Sequence, residues 1–304
     1  MLQGKAKKAI GRRAIFLGIF IVSLIVIMVA TTFSWYYVRR EVTVSEFSIE
    51  VVEANNLVIR APGDDSGWSK LLTMQADEEF AFGAVAGNGT SFFAPVFELV
   101  EQESGTDEYN IDAYEKTGYK PLAADAHAQY LYTYDFSVFI ETAHDLCLAS
   151  GTAVKQQATA DPVDNASAAL RVALLVKEDN AYKTALIWFP DVQTQLLEDG
   201  QGNWYVSEEP TPETEITLVN EAGEDYSVAI TGTSGHTTDE NGVTYVWGDI
   251  AAQDQITIAS LSSNTERELR LVIWVDGNDR DCRNAIMSGA VFVDLKFTAA
   301  KASE

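Results

Sequence analysis

The sequence predicts an all-β protein, a β-sandwich of jelly-roll type, behind one N-terminal transmembrane helix. Three observations carry that prediction. An uncharged run from Ala14 to Val38 follows a short basic segment. Beyond it come many short stretches rich in Val, Ile, Tyr, Phe and Trp, set apart by clusters of Gly, Asn, Asp and Pro. Helical signals are few, so the strands must bury their apolar faces against one another.

The basic segment is residues 1–13, with Lys5, Lys7, Lys8, Arg12 and Arg13. Residues 14–38 can cross a bilayer, because about 20 residues rising 1.5 Å each span roughly 30 Å. Only Arg39 and Arg40 follow directly, so the charge bias places the N-terminus in the cytoplasm and residues 39–304 outside. The apolar core of the run exceeds the roughly 7–15 residues of a cleaved signal, which favours a retained signal anchor. The expected product is a single-pass cell-membrane protein with an extracellular C-terminal domain. Cleavage after Ser34 would instead give a secreted protein.

The strands follow in order. Val42 and Val44 share one parity and Phe47, Ile49 and Val51 the other, which reads as one strand with a bulge. A short strand at 56–60 ends in the Pro62-Gly63 break. Residues 91–99 are aromatic but hold Pro95, which suggests an edge or broken strand. A long aromatic strand covers 130–140. Segments 170–176 and 184–189 flank Glu178-Asp179-Asn180 as a hairpin, and Asn241-Gly242 marks a second one. Strands at 226–230, 244–247, 255–258, 268–275 and 290–297 complete the set. Helical turns are expected at the start of 166–175 and at 283–287. Residues 101–128 and 191–224 read as polar loop insertions.

Composition narrows the function. Five of the 21 basic residues precede the span, leaving 16 against 45 acidic ones and a net charge of −29 beyond it. Such a surface excludes nucleic acid, whose phosphates require basic neutralisation. It favours solubility, with divalent-cation uptake as the sharper alternative. No nucleophile elbow, zinc-protease helix, phosphate loop or dinucleotide fingerprint occurs. The three histidines, His127, His144 and His236, have no ligand-spaced partners. These features point away from an enzyme, with an extracellular hydrolase as the remaining alternative.

Four groups of residues are candidates for chemistry. Asp276, Asn278, Asp279 and Asp281 place four oxygen donors in six positions beside Gly277, the hard-ligand chemistry that Ca²⁺ needs. The competing reading is a tight turn in which Asp276 and Asn278 cap local N–H groups. Cys147 and Cys282 follow long strand candidates and are expected to pair as a disulfide, with two separate buried thiols as the alternative. Trp188, Trp247 and Trp274 sit inside apolar strands and are expected in the core. Trp68 and Trp204 lie in polar loops and are the candidates for ligand contact. Asn88 and Asn165 head glycosylation triplets.

The segment Ala30-Thr31-Thr32-Phe33-Ser34-Trp35-Tyr36-Tyr37, followed by Val44-Ser45-Glu46-Phe47-Ser48-Ile49-Glu50-Val51, resembles the export region of the TasA/camelysin family. That resemblance implies export from a Gram-positive bacterium, a jelly-roll fold and, for some members, fibres of the biofilm matrix. Gly89 to Pro95, Leu170 to Ala173, Ala185 to Pro190 and Leu271 to Cys282 resemble membrane-anchored surface proteins of anaerobic Firmicutes, which implies a shared scaffold. The expected role is structural or adhesive, in the envelope or extracellular matrix. A carbohydrate- or Ca²⁺-binding surface module is the alternative. The expected partners are the membrane, further copies of the chain and cell-wall components.

Overall fold

The computed structural model describes residues 42–52, 56–63, 67–82, 84–99, 114–156, 166–199, 204–211, 213–252, 254, 256–282 and 290–301. They belong to one compact unit, Arg40–Glu304. The expected basic segment, the span at 14–38, the turn at 283–287 and the Asn165 triplet lie outside the described residues. Among those described, no helix is long and apolar enough to cross a membrane.

Strands dominate the described residues. In order come β1 (Val42–Val51), β2 (Val58–Arg60), β3 (Leu71–Phe82), β4 (Ala84–Gly87), β5 (Phe92–Leu99), β6 (Tyr114–Pro121), β7 (Tyr132–Ile140), β8 (His144–Leu148), β9 (Ala153–Gln156) and β10 (Leu170–Glu178). They are followed by β11 (Ala181–Phe189), β12 (Leu196–Glu198), β13 (Trp204–Val206), β14 (Glu215–Val219), β15 (Asp225–Ala229), β16 (Gly235–Thr238), β17 (Thr244–Trp247), β18 (Ile256–Leu261), β19 (Thr265–Asp276) and β20 (Ala290–Ala300). Short 3₁₀ turns occupy Ala124–Gln129 and Ala166–Ala169, the second leading directly into β10 as expected.

The first sheet runs β18-β8-β20-β1-β3, with β9 sharing the β8 edge of β20. β20 is its middle strand, and β1 lies between β20, to which it is parallel, and the edge strand β3, to which it is antiparallel. Both registers shift between Val44 and Glu46, so the change of parity in the sequence is a true bulge. The second sheet runs β16-β17-β11-β10-β19. The far edge of β19 is shared by β7, along Thr265–Ile273, and by β4, at Val275 and Asp276. From β4 the chain continues into β5 and β6. Beyond Phe93, β5 is paired only with β6, so Pro95 sits where one side carries no ladder to donate to.

One core lies between the sheets. Phe47, Ile49 and Val51 of β1 and Val293, Leu295 and Phe297 of β20 pack with Val138, Val172, Leu174, Leu271 and Ile273 of the second sheet. The other face of the second sheet is also covered. Ala173, Leu175, Phe189, Val272 and Trp274 pack under Ile216, Leu218 and Val228 of the β14–β15 hairpin. Burial on both faces explains why residues 172–176 of β10 and 271–275 of β19 read as continuous apolar runs and not as alternations.

The β10–β11 hairpin turns where the sequence placed it. Asp179 and Asn180 have φ of 47° and 66°, the left-handed pair that a tight two-residue hairpin demands. The loop assignment for 101–128 and 191–224 is corrected. These stretches contain β6, β12, β13 and β14, and β14 supplies half the lid over the second sheet.

The disulfide expectation is corrected too. β7 and β19 are neighbours as expected, but Cys147 lies one strand later, in β8 of the first sheet. Its thiol faces the carbonyl of Asp145 at 3.7 Å and the Thr257 hydroxyl at 3.8 Å. Burial pushes that thiol's pKa up. Cys282, after β19 of the second sheet, packs against the inter-sheet core, and no disulfide joins the two.

Candidate functional site

Arg171 is the organising residue. It follows Leu170 in β10 and pairs across the ladder with Trp274, so it points to the outer face of the second sheet. Its side chain is 1% exposed. A guanidinium buried this far needs counter-charges and acceptors. Its Nη1 donates to the Leu170 carbonyl at 3.0 Å, and Nη2 donates to Asp279 Oδ2. Nε lies 3.3 Å from Asp276 Oδ2, and the group stacks 5.0 Å from the Phe189 ring centroid.

The turn after β19 is built to meet it. Asp276 Oδ1 accepts the Asn278 N–H at 3.0 Å, and Asp279 Oδ1 accepts the Asp281 N–H at 2.7 Å. These are the local caps of a tight turn. The same residues fasten three other segments. Asp281 Oδ1 accepts the Leu196 N–H at 2.7 Å, pinning the start of β12. Asn278 Oδ1 accepts from Tyr119 at 2.8 Å and from Lys116 at 3.3 Å, pinning β6. Gly277 N–H donates to the Val85 carbonyl at 2.9 Å, pinning β4.

Glu213 completes the cluster and was not legible beforehand. Its carboxylate lies 3.1 Å from Arg280 Nε, which is also 3.3 Å from Asp281 Oδ2. Glu213, Asp279 and Asp281 each bring an oxygen within 4.8 Å of the others. That is the donor set for a hard divalent cation. Asp276 and Asn278, expected as ligands, are engaged with Arg171 and with Tyr119 and Lys116 instead. An open groove of about 380 Å³ adjoins Glu213, Asp279 and Arg280.

Four carboxylates face two guanidiniums here, and burial makes the excess negative charge costly. Burial and the neighbouring Asp279 push Glu213 from 4.5 up to about 8, against the pull of Arg171 and Arg280. Burial raises Asp276 to about 6, with Arg171 opposing. A carboxyl whose folded pKa is raised binds its proton more tightly in the folded state, so its contribution is present at low pH and lost as pH rises. The cluster is therefore expected to weaken the fold as pH climbs from about 4.5 to about 8. Glu213→Gln should flatten the fall in urea midpoint across that window; an unchanged slope would contradict the raised pKa.

The aromatic expectations separate. Trp188, Trp247 and Trp274 are buried, and Trp188 donates to the Gly248 carbonyl at 3.0 Å. Trp68 is 36% exposed, with the Arg60 guanidinium 4.5 Å over its ring and Phe139 at 5.5 Å. Trp204 opens β13 opposite Glu198. His144 bonds locally to Thr142, and His127 sits beside the Phe92 ring.

These observations define the class: an all-β, two-sheet sandwich whose outer face carries a salt-linked acidic turn. No protein-family model, curated protein or solved structure matches the chain.

Proposed function

We propose that the chain is an exported bacterial cell-surface protein, anchored by residues 14–38, whose jelly-roll ectodomain has a structural or adhesive role in the envelope or extracellular matrix. The observation that carries this reading is the position of β1. The strand begins at Val42, directly after the apolar run and Arg39-Arg40, and is an interior strand of its sheet, paired with β20 on one side and β3 on the other. A tether entering at a strand paired on both sides loads both ladders, which suits a domain held at a surface. Because both edges of β1 are occupied within its own chain, exchanging it into a neighbour would first open its own sheet. That favours a tethered domain over a fibre subunit. The Glu213, Asp279 and Asp281 oxygens support a second reading, a Ca²⁺-binding surface module.

The test is the intact mass of the protein from washed membranes. A species beginning at the initiator end, with residues 14–38 retained, is expected. A protein beginning at Trp35 would replace the tether with secretion.

A further inference from the structure

A second groove, of about 700 Å³, lies on the outer face of the second sheet and shares no lining residue with the one beside Arg171. Three turns make its rim, and each is held by an Asn or Asp side chain accepting its own backbone N–H groups. Asn88 Oδ1 accepts from Thr90 at 3.1 Å and Ser91 at 2.9 Å. Asn220 Oδ1 accepts from Ala222 at 2.9 Å and Glu224 at 3.0 Å. Asp239 Oδ1 accepts from Asn241 and Val243, both at 2.9 Å. The rim is therefore ordered before any ligand arrives, which lowers the entropic cost of binding. Gly89, at φ +94°, lets the first turn sit directly on β11: a Cβ there would lie 2.8 Å from the Thr184 hydroxyl. That hydroxyl donates to the Asn88 carbonyl at 3.0 Å.

The floor is tyrosine. Tyr245 donates to Asp239 Oδ2 at 3.1 Å, and its hydroxyl lies 3.3 Å from that of Tyr226. Burial keeps both phenols protonated, with pKa values raised. Tyr182 and Tyr226 are half-buried, each an apolar ring with a polar tip.

Charge chemistry narrows the occupant. The one lysine among the lining residues, Lys183, is paired with Glu178 at 2.9 Å, and the lining also carries Glu221 and Asp239, so the charge of the groove does not favour an anion. Asp239 is spent on its own turn and on Tyr245, and Glu221 alone does not make a cation site. Along β11 the groove offers no edge to an extended peptide, because that strand is paired on both sides, with β10 and β17. What the groove offers is the Asn241 side-chain amide, which does not hold its turn, and tyrosine and threonine hydroxyls beside aromatic rings, at a volume within the usual range for ligand sites. We propose that this groove binds a neutral oligosaccharide, with sugar hydroxyls on the Asn241 amide and tyrosine hydroxyls and C–H faces on the rings. The proposal deepens the adhesive reading and rests on it for the ligand's location alone.

The test uses the full chain in a detergent without a sugar headgroup, applied to an array of neutral and acidic oligosaccharides. Binding to neutral glycans is expected. Asn241→Ala should weaken it about fivefold to tenfold, as should Tyr226→Phe. In Asn241 the backbone N–H, not the side chain, holds the turn, so thermal unfolding of Asn241→Ala should match the parent. Trp68→Ala, outside the groove, should bind as the parent does. No retention of the chain, retention on acidic glycans alone, or neutral-glycan binding indifferent to both groove variants would overturn the proposal. Surface location is read separately by labelling of intact cells, so failure of the tether and failure of the groove are distinguishable.

Discussion

Arg171→Ala is expected to destabilise the β-sandwich by about 3–5 kcal/mol, because it leaves buried carboxylates without their counter-charge. Asp276 and Asp279 are 1% and 2% exposed at their side chains and both face Arg171. Water cannot reach them to compensate. The loss should shrink as pH falls, since a carboxyl that takes up a proton no longer needs the guanidinium. Arg171→Met with Asp276→Asn and Asp279→Asn should recover much of the stability, since replacing a whole buried ionic group is far less costly than breaking it. Urea denaturation of parent, single and triple variants at pH 5 and pH 8 reads all of this. A single variant within about 1 kcal/mol of the parent at both pH values would mean that the cluster is solvated and the staple does not exist.

Phe47→Ala is expected to cost about 3–5 kcal/mol, as do other buried aromatic truncations. Phe47 is 1% exposed, and its ring meets Tyr132 at 5.2 Å and Tyr134 at 4.9 Å, both edge-on. It pairs with Val293 on one side and Met74 on the other. The cavity would therefore open between the two sheets at β1. Glu50→Ala, on the same strand with a partly exposed partner in Lys296, should change stability by no more than about 0.5 kcal/mol. Equal effects at the two positions would contradict the burial of Phe47 between the two sheets.

Much of the fold was legible because local chemistry and burial agreed. The β10–β11 hairpin has apolar runs on each side of Asp179-Asn180, a pair that accepts the left-handed backbone. The bulge in β1 was visible as a change of parity. What stayed hidden depends on distant partners. β3 carries Asp77-Glu78-Glu79 in its middle, which breaks the apolar pattern. β14 is five residues long, begins at Glu215 just after Glu213, and declares itself only by covering the second sheet.

The site was half legible for the same reason. Dense oxygen donors between Asp276 and Asp281 marked the turn. Nothing in their spacing revealed that Arg171, more than a hundred residues earlier, neutralises two of them. A signal did exist: an arginine within the apolar run Leu170 to Val176 must find a buried acid if both faces of the strand are covered. Glu213 carried no such mark, because it lies among other polar residues.

The most direct test of the surface reading is amine labelling of intact cells with a membrane-impermeant reagent, compared with lysed cells. The side chains of Lys155 and Lys183 are 63% and 64% exposed, so both should react before lysis. Lys5, Lys7 and Lys8 precede the apolar run and should react only after it. Protection of Lys155 and Lys183 in intact cells, with labelling of the N-terminal lysines, would reverse the orientation and contradict the assignment.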